Sequence, residues 1–185
     1  MTDSKLPIQD MCSISLYTAV IAIMAQISIP MPLGVPMTMQ TFAIMLAAIT
    51  LGAKKGAAAA LIYMLLGAMG LPIFSNFTGG FQCLAGPTGG FIISFPLMAY
   101  IIGLGAEHFR HAASASSRFI LFLIAGITVN YTAGLLMFAF ATGSSLMTSF
   151  TVCVLPFIPT EIIKMVLASV LGLKIRRRLD VMLRS

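Results

Sequence analysis

Long stretches without a charged side chain dominate the sequence. Three of them, residues 11–53, 56–106 and 119–159, contain no Asp, Glu, Lys or Arg. Each is about 40 residues long or longer, whereas one transmembrane helix needs only about 20 apolar residues. The apolar positions run continuously and do not alternate with polar ones, as they would in the strands of a membrane β-barrel. Each stretch therefore has room for two membrane-spanning helices, or nearly so.

This pattern predicts six helices whose ends are marked by proline, glycine and charge. Pro30 and Pro32 end the first helix, because proline has no backbone N–H to donate. Pro156 and Pro159 either begin the sixth helix or kink it. The chain is thus predicted to be an all-α integral membrane protein, a six-helix bundle that forms a single membrane domain over residues 1–185. We expect the helices at about 12–29, 38–52, 56–70, 89–105, 118–141 and 150–174.

The composition agrees with a membrane protein. Apolar residues make up 59% of the chain, charged residues only 9%, and the mean hydropathy is +1.03, whereas soluble domains carry about 25% charged residues. No small-residue cleavage site ends the first apolar run, so this run is predicted to be a span and not a signal peptide. Cys12, Cys83 and Cys153 are isolated, and we interpret them as small buried apolar residues, not as metal ligands or a redox pair.

The basic residues indicate the orientation of the bundle. With six spans, they all fall on the side of the two termini, while the opposite loops at about 30–37, 71–88 and 142–149 contain no Lys or Arg. This asymmetry predicts a multi-pass protein of the cell membrane with both termini in the cytoplasm. The basic run 174–178 is predicted to meet anionic lipid headgroups and not nucleic acid. The basic residues in question are Lys5, Lys54, Lys55, Arg110, Arg118, Lys174, Arg176, Arg177, Arg178 and Arg184.

The loop between the third and fourth helices has an unusual composition. Thr-Gly-Gly-Phe occurs in it at 78–81 and again at 88–91. Its glycines and prolines favour turns over helix, while its phenylalanines are unusual in a loop that lies freely in water. One interpretation is a lid over a cavity, and the other is an interfacial loop whose aromatic rings enter the headgroup region. The loop at about 30–41 is placed to cover the same cavity.

Two charged residues fall inside the apolar spans. Glu161 and Lys164 are three positions apart, so they share one face of a helix, and charges at this depth usually face a cavity or pair with each other. They form a ligand site, an ion pair that only neutralises itself, or a proton relay through Glu161.

The remaining polar or small positions have two interpretations. Gln40 and Asn76 are polar candidates for the ligand site, whereas Asn130 and Tyr131 are predicted to pack helices together. Small residues of the first helix, Ser15 with Ala19 and Thr18 with Ala22, allow another helix to approach closely, either within the bundle or from a partner.

The sequence has none of the common catalytic motifs. It contains no GxxxxGK[ST] phosphate loop, no HExxH and no GxSxG, and its two histidines, His108 and His111, lie in a predicted cytoplasmic loop. We therefore expect no enzymatic activity, no cofactor and no metal.

Several motifs in series resemble one family. They are VPMTMQTF at 35–42, LGAKKG at 51–56, LGAMGLPIF at 66–74, GPTGG at 86–90 and LPFIPTEIIK at 155–164. Together they resemble the BioY family, the biotin-binding S components of energy-coupling factor (ECF) transporters, over nearly the whole chain.

The resemblance implies a six-helix S-component fold that captures biotin from outside. It also implies a membrane coupling subunit and two ATPase subunits as partners, contacted through Ser15, Ala19 and Ala22. Glu161 and Lys164 match the acid and the lysine of the family's last helix, although the family usually has Asp after Gly where this chain has Glu after Thr. The other residues expected at the ligand are Gln40, Phe74, Asn76, Gly86, Pro87 and Thr88.

Two other classes of function remain open from the residues. A proton-driven secondary transporter would use Glu161, but such proteins usually contain internal repeats, and the two halves of this chain are not visibly alike. An intramembrane enzyme or a purely structural subunit is disfavoured by the missing catalytic groups.

Overall fold

The computed structural model describes residues 7–31, 35–108 and 117–182, and within them the chain is built mainly from α-helices. One short antiparallel sheet, β1 (Ser28–Ile29) with β2 (Met37–Thr38), joins the first two helices. The helices are α1 (Ile8–Ala25), α2 (Gln40–Leu51), α3 (Ala53–Ala68), α4 (Phe81–Ala85), α5 (Gly89–His108), α6 (Ser117–Thr142), α7 (Leu146–Cys153) and α8 (Ile158–Met182).

Four segments of the described chain are long and apolar enough to cross a membrane: α1, α5, α6 from Arg118 onward, and α7 with α8 as far as Leu179. The helices α2 and α3 have only 12 and 16 residues. At 1.5 Å per residue they extend about 18 and 24 Å, less than the roughly 30 Å of bilayer hydrocarbon. The predicted all-α bundle of six helices is confirmed, with α7 and α8 together taking the place of the sixth.

The short helix α2 lies at the centre of the bundle. It packs against α1, α3, α5 and α8, and 10 of its 12 residues are buried. Because protein surrounds it, its length need not match the hydrocarbon thickness. This explains how a helix of 12 residues stands among spans of 18 or more.

A tight turn at Gly52 joins α2 to α3. Gly52 has φ +88°, a conformation that favours glycine, and a Cβ there would also overlap the carboxylate of Glu107. Glu107 accepts a hydrogen bond from the backbone N–H of Ala53 at 2.8 Å. Lys54 and Lys55, which the sequence places between two helices, therefore lie in the first turn of α3, and Lys55 pairs with Asp10 of α1.

The segment 71–88, called the lid segment from here on, folds back onto the bundle. Phe74 is buried, with its ring against Gly67 and edge-on to Tyr63 at a centroid distance of 5.5 Å. The sequence predicts that this segment resists helix formation, yet it contains one 3-10 turn, Ser75–Phe77, and the five-residue helix α4. These elements are short enough to fit between the glycines at 70, 80 and 86.

Gln26, the residue directly after α1, holds the lid segment in place. The Gln26 amide nitrogen donates to the carbonyls of Ile73 and Phe74 at 3.2 and 3.1 Å, and its oxygen accepts from the N–H of Phe77 at 2.9 Å. The backbones of Asn76 and Phe77 are left-handed, with φ 57° and 56°, which is uncommon for residues other than glycine. The Gln26 side chain thus holds a strained turn in place.

The prolines of the last segment interrupt it. After α7, a 3-10 turn at Leu155–Phe157 contains Pro156, and α8 begins at Ile158 with Pro159 in its first turn. A proline there removes no intrahelical hydrogen bond. At the other end of the chain α1 ends at Ala25, because Ser28 and Ile29 leave the helix to pair with Thr38 and Met37.

We expect the crossing of α5 over the start of α3 to tolerate no added side chain. A Cβ at Gly103 would overlap the backbone of Ala53, so Gly103→Val should lower the free energy of unfolding by about 1–3 kcal/mol. The half-exposed neighbour Leu104 provides the control, since Leu104→Val should change it by only about 0.5 kcal/mol. Size-exclusion chromatography of detergent-purified protein after stepwise heating compares the apparent melting midpoints of the two variants. Equal midpoints would contradict this packing.

Candidate functional site

A narrow cavity of about 60 Å³ lies between α2, α5, α6 and α8. The β-hairpin and the lid segment border it. Its lining combines aromatic and aliphatic side chains with a few polar groups, as in typical small-molecule sites. The lining residues are Val35, Pro36, Thr38, Gln40, Thr41, Ser75, Thr88, Phe91, Ile92, Phe95, Asn130, Tyr131, Cys153, Phe157, Glu161 and Lys164.

Glu161 and Lys164 form a buried ion pair at this cavity. The Lys164 Nζ lies 3.2 Å from Oε2 of Glu161, and both side chains are more than nine-tenths buried. The same Oε2 accepts hydrogen bonds from the hydroxyls of Thr41 at 3.1 Å and Tyr131 at 3.2 Å, and Lys164 also donates to Thr41 at 3.3 Å. Residues from α2, α6 and α8 therefore converge on one carboxylate oxygen.

The break before α8 contributes to this site. Because α8 begins at Ile158, Glu161 stands in its first turn, where the unpaired N–H groups and the helix dipole favour a negative charge. An uninterrupted last helix would place Glu161 in mid-helix without this stabilisation.

The second carboxylate oxygen of Glu161 is left without a partner. Oε1 is buried and has no hydrogen-bond partner within the described residues. Buried carboxylate oxygens in proteins are normally satisfied, so an unsatisfied one at a cavity is suited to a donor on a bound molecule.

Gln40 borders the cavity at the start of α2, but its amide is engaged in the protein. Its nitrogen donates to the hydroxyl of Tyr63 at 2.5 Å, and its oxygen accepts from the Thr38 hydroxyl at 2.9 Å. The hydroxyl of Tyr63 donates in turn to the carbonyl of Ile73. Gln40 therefore links the hairpin, α3 and the lid segment around the cavity wall.

Asn130 and Tyr131 join α6 to its neighbours. Asn130 is fully buried and its amide nitrogen donates to the Phe91 carbonyl at 2.9 Å and to the Ser94 hydroxyl at 2.8 Å, both on α5. The Tyr131 ring lies edge-on to Phe91, with centroids 5.8 Å apart. These contacts are the helix packing predicted for the pair, and in addition both residues line the cavity.

The residues predicted at the ligand do not all meet at the cavity. Glu161, Lys164, Gln40 and Thr88 line it together. Phe74 is instead buried against α3, Asn76 is exposed and accepts a hydrogen bond from Ser28, and Gly86 and Pro87 lie at the end of α4 away from the lining. The lid residue that borders the cavity is Ser75. Asn76 has a left-handed backbone, and its side-chain oxygen is engaged by Ser28 of the hairpin.

Sequence reasoning missed Thr41, Ser75, Phe91 and Phe157 as lining residues. Thr41 directly follows Gln40, and Phe91 ends the second Thr-Gly-Gly-Phe, so proximity to a motif was the available signal.

The cysteine interpretation holds for Cys153, which is buried, but is wrong for Cys12, which is exposed on α1. Within the described residues, no group of three or more His, Cys, Asp or Glu is placed to hold a metal.

The outer face of α1 is only partly the predicted small-residue surface. Ser15 and Ala19 are exposed, whereas Ala22 packs partly against the core. Thr18 is buried, and its hydroxyl donates to the carbonyl of Ala59 on α3 at 3.1 Å. Small residues of α1 therefore serve internal packing on one side and leave a surface without large side chains at Ser15 and Ala19 on the other.

A second, larger groove of about 350 Å³ lies between α6, α7 and α8. Its walls are mainly apolar, including Ile124, Leu135 and Met165, and it reaches Tyr131 and Glu161. Tyr131 and Glu161 therefore line both the groove and the cavity described above.

Comparisons with known proteins agree on one family. The family model described as BioY family matches residues 1–181. The chain is 38% identical over 162 residues to the Biotin transporter BioY of Thermotoga maritima, covering 88% of this chain and 92% of that protein. It is 37% identical over 159 residues to the Probable biotin transporter BioY of Pyrococcus horikoshii, covering 86% and 91%.

A solved structure has the same fold. The crystal structure of the S-component for biotin from an ECF-type ABC transporter superposes with a TM-score of 0.85 at 26% identity. The match covers 96% of this chain and 95% of that one.

Proposed function

Because the chain belongs to the BioY family, we propose that it is a transporter component that binds biotin from outside the cell and delivers it for ATP-driven uptake with ECF partner subunits. It is a substrate-capture (S) component and not an enzyme. The observation that carries the proposal is the buried Glu161–Lys164 pair at the cavity, with one carboxylate oxygen that has no partner within the described chain.

The chemistry of the cavity suits biotin. The ligand has a ureido ring with two N–H donors and one carbonyl, a thioether, and an aliphatic tail that ends in a carboxylate. Oε1 of Glu161 accepts a ureido N–H, and Nζ of Lys164 donates to a ligand oxygen. Aromatic side chains such as Phe91, Phe95 and Phe157 cover the apolar parts.

The β-hairpin and the lid segment form the cover of this site. Gln26 and Gln40 tie the two loops to α1 and α3 through side-chain hydrogen bonds. Opening the lid segment would therefore require breaking these polar contacts and withdrawing the buried ring of Phe74 from α3. Such a cover suits a binding step in which the ligand enters from the face that lacks basic residues.

Biotin affinity should depend on both charged residues. Lys164→Ala removes a hydrogen bond from a charged group to the ligand, worth about 1.5–3 kcal/mol, so the affinity should fall roughly ten- to more than a hundredfold. Glu161→Gln should also weaken binding, because an amide oxygen accepts an N–H less strongly than a carboxylate does. Glu161→Asp should be tolerated better, since it retains the charge. Isothermal titration of the purified variants with biotin measures these changes.

The matched control is Lys174→Ala, an exposed lysine ten positions further along α8, which should leave biotin affinity unchanged. The double variant Glu161→Gln with Lys164→Met tests the ion-pair alternative, because it leaves no unpaired buried charge. Near-native biotin affinity of the folded double variant would remove both residues from the binding site.

We propose that both termini face the cytoplasm. Lys54, Lys174, Arg177 and Arg178 are exposed at one end of the bundle, while Lys5, Arg110 and Arg184 lie outside the described residues. Arg176 differs from its neighbours, since it is buried and donates to the carbonyl of Ile49 at the end of α2. The exposed residues of this basic run are placed to meet anionic headgroups.

Thiol labelling tests this orientation. In a cysteine-free background, Lys54→Cys should react with an impermeant maleimide only after the cells are permeabilised. Ser144→Cys, in the turn between α6 and α7, should react in intact cells, because its loop carries no basic residue and faces outward. Labelling of the Lys54→Cys variant in intact cells, together with protection of Ser144→Cys, would reverse the orientation.

We propose that the exposed side of α1 contacts the membrane coupling subunit, which works with two ATPase subunits. Ser15 and Ala19 form a surface without large side chains next to the exposed Leu16 and Ile23. Small residues allow helices in a membrane to approach closely. Ala22, being packed partly against the core, contributes less to this contact than the sequence predicts.

A larger side chain at this surface should separate uptake from binding. We expect Ala19→Leu to reduce biotin uptake strongly in cells that also produce the partner subunits, while biotin affinity of the purified protein stays the same. Leu16→Met is the control, because that exposed position already carries a large side chain. A parallel loss of uptake and binding in Ala19→Leu would show that Ala19 serves internal packing.

A further inference from the structure

The amide nitrogen of Asn130 is hydrogen-bonded, whereas its amide oxygen has no partner within the described residues. It is fully buried on α6, and its Nδ2 donates to the carbonyl of Phe91 and to the hydroxyl of Ser94. Its Oδ1 has no hydrogen-bond partner among the described residues. The side chain also lines the ligand cavity.

The neighbours of Asn130 determine which way its amide faces. The Phe91 carbonyl accepts only, and the single hydroxyl proton of Ser94 is directed to the carbonyls of Gly90 and Phe91, at 2.8 and 3.0 Å. Both groups therefore require a donor from Asn130, and a flipped amide would place Oδ1 against the Phe91 oxygen. The orientation with Oδ1 unpaired is thus imposed by α5.

Two buried oxygen atoms at this cavity, on two different helices, have no hydrogen-bond partner within the described residues. They are Oδ1 of Asn130 on α6 and Oε1 of Glu161 on α8. A cyclic urea carries its two N–H donors on opposite sides of one carbonyl, so it needs one acceptor on each side. A single carboxylate oxygen cannot meet both donors, whereas two separate helices provide one acceptor each.

We propose that Oδ1 of Asn130 accepts one ureido N–H of the ligand while Oε1 of Glu161 accepts the other. This inference rests on the proposed biotin function. It makes Asn130 a specificity-determining residue, because a ring that lacks one N–H leaves a buried acceptor unpaired. Its contacts to α5 hold the acceptor in position before the ligand arrives.

The chain contains only two asparagines, Asn76 and Asn130, which allows a direct test on the unaltered protein. Asparagine labelled with ¹³C at Cγ should give two side-chain carbonyl signals in NMR spectra, and an Asn76→Gln variant assigns them. Saturating biotin should move the Asn130 signal to lower field, as a carbonyl does when it accepts a hydrogen bond. An unmoved Asn130 signal in protein saturated with biotin would overturn this inference alone, whereas absence of biotin binding would overturn the proposed function.

Affinity measurements with altered ligands separate recognition from helix packing. Asn130→Ser and Asn130→Ala should weaken biotin binding about tenfold. The same variants should lose less than about threefold for one of the two ring N-methyl biotins, because that isomer has no N–H for Asn130 to accept. Equal losses for biotin and for both N-methyl isomers would assign Asn130 a packing role only. If neither variant folds, the NMR measurement on the unaltered chain decides the question.

Discussion

The cost of holding charge away from water determines the centre of this protein. A carboxylate and an ammonium inside a bundle surrounded by hydrocarbon must be paired and hydrogen-bonded, or the fold does not tolerate them. The Glu161–Lys164 pair meets this condition through hydroxyls from α2 and α6 and through its position in the first turn of α8. Three helices are therefore fixed relative to one another by one carboxylate. All of these contacts fall on Oε2, so Oε1 has no partner within the described chain. In our proposal the ligand provides the donor for Oε1.

The architecture around this pair depends on close packing more than on helix length. In lipid there is little hydrophobic driving force between helices, so association depends on contact at small residues and on interhelical hydrogen bonds. The crossings at Gly103 on Ala53 and at Gly56 on Ala48 are of the first kind. The hydroxyl of Thr18 on the Ala59 carbonyl and the amide of Asn130 on α5 are of the second kind. Together they enclose the short helix α2, which makes the wall of the cavity.

The parts of the fold that follow from local pattern were predictable, and those that follow from tertiary contact were not. Continuous apolar runs indicated the six helices, and a spacing of three placed Glu161 and Lys164 on one face. Nothing in the sequence near Thr41 or Tyr131 shows that both donate to Glu161, because they are 120 and 30 residues away from it. The direction of Asn76 depends on a left-handed turn held by Gln26, so its exposure was equally hidden. Prolines signalled the start of the last helix but not that a separate α7 precedes it.

The contact between Gly67 and Phe74 has a consequence for how such proteins change in evolution. The ring of Phe74 occupies the space in which any side chain at position 67 would have to lie. A larger residue at 67 would expel the ring from α3 and release the lid segment, while a smaller one at 74 would leave a void beside the glycine. Neither position is free to drift alone. Across descendants of this chain the two should be retained together or replaced together, so that this one contact leaves a trace in sequences long after the rest of the loop has diverged.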